Sequence, residues 1–235
     1  MSEVRDGSPA IEMTGTIVEV TADLPHIVLT YDDGPEPGGT DRVMDALADR
    51  GATATFFVLL SRVRRHPSLF QRLADSPHDI GLHGPDHQRL SRFGAEEVEA
   101  RIRDAKSELE DVLGREVVWF RPPYGAQTPE TRSAIARCGL TSVGWGPALQ
   151  DWHALDADDH VENGLDGAHP GAVLLAHDGF AAIEDGVEDG PAPVFDRGAL
   201  TRRVLDAYAQ RGWQGCSLTN ALIHGSPVYR EWFKR

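Results

Sequence analysis

Residues 27–35 read IVLTYDDGP, a buried-strand pattern that runs directly into two carboxylates and a Gly-Pro pair. The apolar and β-branched residues from Ile27 to Thr30 predict a strand. Gly34 and Pro35 predict the turn that ends it. In parallel α/β folds, polar site residues gather where the strands end at their carboxyl side. This stretch therefore predicts both the class of fold and the edge of the sheet where a functional site would lie.

Further strands and helices alternate along the chain. The predicted strands cover residues 17–20, 27–30, 53–60, 79–82, 117–120, 140–145, 172–176 and 213–218, and the first two flank a predicted turn at residues 22–25. The predicted helices cover residues 40–50, 66–75, 95–113, 128–138 and 199–210. Because this alternation indicates a mainly parallel sheet with crossover helices, the α/β fold is either an irregular barrel or an open, doubly wound sheet. The number of strands favours the barrel.

Length and charge limit the number of domains and the kinds of partner. At 235 residues the chain suits a single domain, which we assign to residues 13–235 after a flexible tail at residues 1–12. The net charge of −14 disfavours nucleic acid and anionic membranes as partners, because like charges repel. No apolar stretch resembles a signal peptide or a transmembrane span, so we expect a cytoplasmic location. The sequence leaves the oligomeric state open.

Asp32 and Asp33 are adjacent, and adjacent residues of a regular strand point to opposite faces. They can share one site only where the strand stops, which Gly34 and Pro35 predict. Two bare carboxylates so close repel each other, and a cation bound to one would leave the other free as a base. A surface turn of sequence Asp-Asp-Gly-Pro is the alternative, and these four residues alone do not separate the two interpretations.

His83 and His87 follow the strand predicted at residues 79–82. Imidazole is a common metal ligand, and a spacing of four residues lets two rings meet at one ion. Gly84 and Pro85 argue against a regular helix, so a tight loop would have to bring the rings together. Chance spacing among ten histidines is the alternative. Two histidines with one carboxylate and an open position for water form a recurring hydrolytic zinc site.

Three further strand ends carry polar side chains. Arg121 and His177 each follow a predicted buried strand, and Asp151 lies a little beyond the strand at residues 140–145. Taken singly, Arg121 could be a structural partner for any carboxylate, and His177 could be a satisfied core histidine. Five strand ends that carry the groups of a hydrolytic site nevertheless predict one shared active site.

These segments resemble, in order, the motifs of the polysaccharide deacetylases of carbohydrate esterase family 4, the NodB homology domain. The resemblance runs from about Ile27 to Leu218. It is carried by Thr30-Tyr31-Asp32-Asp33-Gly34-Pro35, His83-Gly84-Pro85-Asp86-His87, Arg121-Pro122-Pro123-Tyr124, Asp151-Trp152 and Leu175-Ala176-His177. The resemblance implies a distorted (β/α) barrel with seven or eight mainly parallel strands.

The resemblance also implies a metal site and a base. Asp33, His83 and His87 would ligate one divalent cation, usually zinc and sometimes cobalt or manganese. Asp32 would be the general base, held by Arg121. The implied activity is removal of N-acetyl groups from N-acetylglucosamine-type oligo- or polysaccharides by activated water, so the partner would be an N-acetylated carbohydrate.

The remaining motif residues are implied to act on the substrate. The backbone N–H of Tyr124 would help to bind the oxyanion. His177 would be the general acid, tuned by Asp151. Leu175 and Trp152 would form the pocket for the acetyl methyl group.

One position departs from the family pattern, and two other functions remain open. The fourth motif often has a further Asp three residues after Trp145, where this chain has Ala148. The departure concerns the substrate-side contacts of residues 145–151. The alternatives are an amide or ester hydrolase that acts on a non-carbohydrate acylated molecule, and a non-catalytic carbohydrate-binding relative.

An acidic loop rich in Gly and Pro, residues 178–196, directly follows His177 and is predicted to rim the cleft. One hypothesis is that its carboxylates repel polyanionic substrates or attract cationic, partly deacetylated sugars. A solvated surface insertion is the alternative. The carboxylates concerned are Glu184, Asp185, Glu188 and Asp189.

Overall fold

A computed structural model of the protein describes residues 15–22 and 24–233. The predicted flexible tail at residues 1–12 lies outside the described residues. The strands are β1 (Thr16–Ala22), β2 (His26–Asp32), β3 (Thr55–Leu59), β4 (Asp79–Gly84), β5 (Trp119–Phe120), β6 (Thr141–Ser142), β7 (Val173–His177), β8 (Gln214–Cys216) and β9 (Gly225–Arg230). The α-helices are α1 (Thr40–Asp49), α2 (Leu60–Arg65), α3 (Pro67–Ala74), α4 (Ala95–Leu113), α5 (Pro129–Arg137), α6 (Ala157–Leu165), α7 (Arg197–Ala209) and α8 (Leu218–Ile223).

The main sheet is parallel and has seven strands. Its order is β6-β5-β4-β3-β2-β7, and β8 pairs with β2. One side of β2 pairs with β8 along its first half and with β3 along its second half, while β7 pairs along the other side. Every residue of β2 after His26 is buried, which explains its almost uninterrupted run of apolar and β-branched residues.

The two edges of the sheet, β6 and β7, are joined by isolated bridges. Ala148 pairs in parallel with Leu175 of β7. β1 bridges to Val143 just after β6 and to Ala172 just before β7. These contacts curve the sheet into an incomplete ring, so the predicted distorted (β/α) barrel is confirmed.

The register of the sheet brings the strand ends to one edge. Asp32, the last residue of β2, is in register with His177, the last residue of β7. Leu82 of β4 is in register with Phe120 of β5. The polar residues that end or follow these strands therefore meet at the carboxyl edge, as parallel α/β folds require.

The helices cover the sheet with the faces that the sequence predicts. On α4, Val98, Ile102, Ala105 and Leu109 recur every three to four residues and are buried. Burial of a Val, Leu or Ile side chain contributes about 1.5–3 kcal/mol, which offsets the entropy lost when the helix docks. Gly114 ends this helix in the left-handed conformation, with φ of 70°.

The strand predicted at residues 53–60 is shorter in the structure. β3 ends at Leu59, and α2 begins at the next residue. Leu60, Arg62 and Val63 are buried in α2. Because the TATFFVLL run is apolar through the boundary, periodicity does not show where the strand becomes a helix.

β1 pairs with the C-terminal strand β9, which the sequence does not predict. The antiparallel ladder runs from Thr16 opposite Arg230 to Ala22 opposite Gly225. The sequence of β9, GSPVYR, contains three residues that weaken a strand signal.

Within residues 15–22 and 24–233, none of the helices is both long and apolar enough to cross a membrane.

Candidate active site

The predicted break after β2 is present, and it separates the two aspartates. Asp32 is the last residue of the strand, and Asp33 adopts a φ of 77°, in the left-handed region. The N–H of Gly34 donates to Asp178 Oδ1 at 3.2 Å, and a Cβ on Gly34 would lie 2.0 Å from Asp178 Oδ2. The turn therefore depends on glycine, and Asp178 is a buried partner of the turn that the sequence prediction did not include.

Asp33, His83 and His87 form a buried cluster. Asp33 Oδ1 lies 3.5 Å from His83 Nε2 and 3.4 Å from His87 Nε2, and the three ligand atoms lie within 4.8 Å of one another. Asp33 Oδ1 is buried without a hydrogen-bond partner among the described residues. A buried acceptor without a hydrogen bond lowers the stability of the fold unless a ligand satisfies it. One carboxylate and two imidazoles in this arrangement fit a divalent cation.

The charges around Asp33 favour its ionised form. Burial alone would raise the pKa of the carboxyl, but His87, His177 and His83 together hold that pKa well below its usual range. A metal-binding carboxyl must be deprotonated. The cluster therefore presents Asp33 in the state that a cation needs.

Backbone contacts fix both histidines. His83 Nδ1 lies 2.7 Å from the carbonyl oxygen of Arg121, so this nitrogen donates its proton and Nε2 keeps a free lone pair. Burial lowers the pKa of His83, which favours the neutral ring that binds a metal. The backbone N–H of His87 donates to the carbonyl of Asp185 at 2.9 Å.

Asp32 is paired with a fully buried arginine. Arg121 Nη1 donates to Asp32 Oδ1 at 2.8 Å and to Thr30 Oγ1 at 2.7 Å, and its other nitrogens donate to two backbone carbonyls. The second oxygen, Asp32 Oδ2, lies 3.8 Å from His83 Nε2. One oxygen of the carboxylate is thus fixed, and the other is beside the cluster.

His177 and Asp151 form a second pair. His177 Nδ1 lies 2.7 Å from Asp151 Oδ1, and the backbone N–H of His177 donates to Asp151 Oδ2 at 2.8 Å. Burial alone would lower the pKa of His177, but Asp151, Asp33 and Asp32 raise it to about 9. The imidazole is therefore protonated at neutral pH and can donate a proton.

Arg197 supports this pair and was missed by sequence reasoning. It is the first residue of α7, and its Nη1 lies 3.3 Å from Asp151 Oδ2 and donates to the carbonyl of His177 at 2.9 Å. Burial would raise the pKa of Asp151, but His177 and Arg197 lower it. An arginine that begins a helix after a long loop carries no signal that would reveal this contact.

The departure at Ala148 leaves Asp151 in place. Residues 147–149 run beside β7: the N–H of Leu175 donates to the carbonyl of Pro147, and the N–H of Leu149 donates to the carbonyl of Leu175. This extended segment leads to Asp151, which therefore lies next to the end of β7.

A cleft of about 500 Å³ opens over these groups. Leu175 is buried in its wall, and the Trp152 ring lies edge-on to the His177 ring at 5.5 Å between centroids. Tyr124 and Gly125 both have positive φ, and a Cβ on Gly125 would lie 2.4 Å from the ring of Trp145. This turn therefore allows two aromatic side chains to line the same cleft.

The acidic loop is not a uniform set of surface charges. Glu184 and Glu188 are exposed, but Asp185 is fully buried and accepts hydrogen bonds from a serine and two arginines of α2. Asp189 lines the cleft and accepts a hydrogen bond from the Tyr124 hydroxyl at 2.5 Å. The hypothesis that Asp185 is a rim charge is wrong, because α2 places the buried Arg62 and the more exposed Arg65 against it, which the sequence pattern did not reveal.

The structure brings the predicted site residues together. The cleft is lined by Asp32, Asp33, His83, His87, Tyr124, Trp152, Leu175 and His177. Arg121 and Asp151 lie behind it, bonded to Asp32 and His177. Arg89, Trp145 and Asp189 also line the cleft, outside the predicted catalytic, substrate and metal sets. Trp145 is the last residue of the strand predicted at residues 140–145, and Asp189 belongs to the loop that is predicted to rim the cleft. Arg89 follows no predicted strand, so the strand-end rule does not reach it.

Known proteins are similar to this chain in sequence and fold. The sequence model of the family described as polysaccharide deacetylase matches residues 19–143. The chitooligosaccharide deacetylase of Azorhizobium caulinodans is 33% identical over 204 residues, which cover 86% of this chain and 97% of that protein. The peptidoglycan-N-acetylglucosamine deacetylase PgdA of Listeria monocytogenes is 36% identical over 153 residues, which cover 65% of this chain and 32% of that protein.

A solved structure agrees with the sequence matches. The peptidoglycan deacetylase PdaC from Bacillus subtilis superposes with a TM-score of 0.73 at 25% identity, covering 86% of this chain and 91% of that chain. The family sequence model spans more than half of the chain, and the Azorhizobium relative matches over almost its whole length. The chain belongs to the polysaccharide deacetylase family.

Proposed function

We propose that the protein is a metal-dependent hydrolase that removes acetyl groups from N-acetylglucosamine-type oligo- or polysaccharides. One observation carries the proposal: the Asp33–His83–His87 cluster shares a cleft with a carboxylate held by a buried arginine and a histidine held by a carboxylate. A cation site, a base and an acid are the elements that hydrolysis of an amide by water uses.

The cluster would hold one divalent cation through the Asp33 carboxylate and Nε2 of both histidines. When bound, such a cation lowers the pKa of water and polarises the amide carbonyl. Imidazole and carboxylate donors suit zinc, and cobalt or manganese would fit the same donors. Asp33 Oδ1 would then gain the partner that the described residues do not supply.

The protein's own groups would move the protons. Asp32, with Oδ1 held by Arg121, accepts a proton from the attacking water at Oδ2. The N–H of Tyr124 stabilises the developing oxyanion. His177, kept protonated by Asp151, donates a proton to the departing amine nitrogen. An amine that leaves without this proton would be a poor leaving group.

The walls of the cleft suit an acetylated sugar. Leu175 and Trp152 offer an apolar surface for the acetyl methyl group, whose burial contributes about 0.8 kcal/mol. Tyr124, Trp145 and Trp152 add aromatic surface against which sugar rings can pack. Relatives named for deacetylation of chitooligosaccharides and of peptidoglycan support a carbohydrate rather than a small non-carbohydrate amide.

The test is acetate release from chitooligosaccharides of defined length, measured beside N-acetylated amines that contain no sugar. We expect acetate from the sugars, loss of activity on chelation, and recovery on addition of zinc. Asp32→Asn is the control, because it should keep the metal and lose turnover. Release only from the non-sugar amides would favour the alternative hydrolase, and sugar binding without any turnover would favour a non-catalytic relative.

A further inference from the structure

The two histidines of the cluster differ in their second ring nitrogen. His83 Nδ1 has a backbone acceptor, the carbonyl oxygen of Arg121 at 2.7 Å. His87 Nδ1 is buried and has no hydrogen-bond partner within residues 15–22 and 24–233. Because a histidine bound to a metal through Nε2 carries a proton on Nδ1, His87 needs an acceptor there.

A carboxylate from the acidic loop lies beside that nitrogen. Asp189 Oδ2 is 3.8 Å from His87 Nδ1, about 1 Å longer than a hydrogen bond between a charged pair. The Asp189 side chain is 38% exposed, and the buried ligand cluster of Asp33, His83 and His87 does not include it. It therefore contacts the outer side of His87 and is not a ligand in that cluster.

An aromatic contact places Asp189 near His87. The Tyr124 hydroxyl donates to Asp189 Oδ2 at 2.5 Å, and the Tyr124 ring lies 4.3 Å from the His87 ring between centroids. The guanidinium of Arg89 lies over the Tyr124 ring, 4.0 Å from its centroid. The loop carboxylate, the tyrosine and the metal-ligand histidine thus form one connected group.

We propose that Asp189 is a positioning residue for the metal site: it accepts the Nδ1 proton of His87 and so joins the acidic loop to the bound cation. The inference rests on the metal site of the proposed function. A closure of about 1 Å at the loop would complete the hydrogen bond. Asp189 would then orient the His87 ring, raise its basicity as a ligand, and tie the loop to the rim of the cleft when the metal is present.

The loop provides a matched control for this proposal. Glu188 is the exposed neighbour of Asp189 and carries the same charge, and it is not a member of the three-residue cluster. Asp189→Ala and Glu188→Ala each remove one negative charge from the same segment. A difference between the two variants therefore reports the contact with His87 rather than the overall field.

The first experiment measures zinc affinity of the full chain by competition with a chromogenic chelator. Removal of such a partner typically costs 10–100-fold in metal affinity, so we expect about that loss for Asp189→Ala and a change of less than about twofold for Glu188→Ala. Tyr124→Phe should give a smaller loss, since Asp189 keeps its charge but loses its hydroxyl donor. Equal affinities for Asp189→Ala and the wild type would overturn the proposal.

The second experiment reports the hydrogen bond itself. In zinc-loaded protein with ¹⁵N-labelled histidine, we expect a slowly exchanging Nδ1 proton on His87 in the wild type and in Glu188→Ala, and fast exchange in Asp189→Ala. If the His87 Nδ1 proton exchanged at the same rate in all three proteins, the assignment of Asp189 as its acceptor would be contradicted. If the wild type binds no zinc, the metal site of the proposed function fails instead, so the two failures are distinguishable.

Discussion

The cleft has two walls of different construction. The strand-end wall consists of Asp32, Asp33, His83 and Arg121, all of which are at least 96% buried. The loop wall is the segment of residues 178–196, which contains two buried carboxylates, Asp178 and Asp185, among exposed ones. The sheet thus holds the proposed catalytic groups in buried positions, and the loop surrounds them with side chains of mixed exposure.

The buried arginines behind the two walls differ in how many carboxylates they pair with. Arg121 has one carboxylate partner, Asp32, at 2.8 Å. Arg62, which holds the loop through Asp185, also pairs with Glu36 at 2.6 Å. Arg62 therefore keeps a carboxylate partner when Asp185 is removed, whereas Asp32 is the one carboxylate that pairs with Arg121 among the described residues.

The largest expected effect is at Asp33, the proposed metal ligand of the strand-end wall. Asp33→Ala removes one of the three donors, and we expect loss of stoichiometric zinc together with a decrease in kcat/KM of about 10³-fold or more. Zinc content by plasma mass spectrometry and acetate release check this result. Retention of one zinc per chain would count against Asp33 as a ligand.

The ion pairs are compared by urea unfolding. Arg121→Met leaves Asp32 as a buried, unpaired charge, and we expect the free energy of unfolding to fall by about 3–5 kcal/mol. Asp185→Asn should cost about 1–3 kcal/mol, because Arg62 keeps Glu36. Arg64→Met breaks an exposed pair on α2 and serves as the control, at about 0–1 kcal/mol. Equal losses of unfolding free energy in the Arg121 and Asp185 variants would remove the distinction between the two walls.

Substitution of the proposed acid or base should lower kcat without loss of metal. Asp32→Asn and His177→Gln each remove a proton-transfer group, and we expect kcat to fall by about 10²-fold or more. Zinc content should stay at one per chain in both variants. Near wild-type kcat in either variant would assign the proton transfer to another group.

The support of His177 by Asp151 predicts a pH effect. Asp151 helps to raise the pKa of His177 to about 9, and burial alone lowers it, so Asp151→Asn must lower that pKa. The protonated acid is then lost at lower pH, and the alkaline limb of the kcat/KM profile moves down by about one unit or more. Glu188→Gln, an exposed change on the loop wall, should leave the limb in place. An unmoved limb in Asp151→Asn would show that His177 does not set it.

The smallest expected effect is at Arg197, which links the loop wall to the acid. Arg197→Met removes one charged hydrogen bond to Asp151, and the carboxylate keeps both bonds to His177. We expect kcat to fall about fivefold, which corresponds to about 1 kcal/mol. Steady-state kinetics on a chitooligosaccharide measure it, and Arg203→Met on the same helix is the control.

The strand-end wall could be predicted from the sequence because two rules act together there. Buried parallel strands have near-continuous apolar runs, and polar residues that end them must meet at one edge. Asp32, His83, Arg121 and His177 follow from these rules. The family resemblance added Tyr124, Trp152 and Leu175, whose residue types alone carry no chemical signal.

The sequence predicts that residues 178–196 rim the cleft, but the individual contacts of this loop wall could not be predicted, for physical reasons. Asp185 looks like any acidic surface residue until α2 folds and places two arginines against it. Arg197 and Asp189 contact the site through long-range packing, which has no local period. In the fold, β9 was missed because its partner β1 lies about 200 residues away in the chain.

A crystal structure of the zinc-loaded protein, with anomalous scattering recorded at the zinc edge, tests the proposed metal site directly. We expect one zinc peak bonded to the carboxylate of Asp33 and to Nε2 of His83 and His87 at about 2.0–2.2 Å. A zinc peak at other residues, or a peak that leaves Asp33 or either histidine unbound, would contradict it.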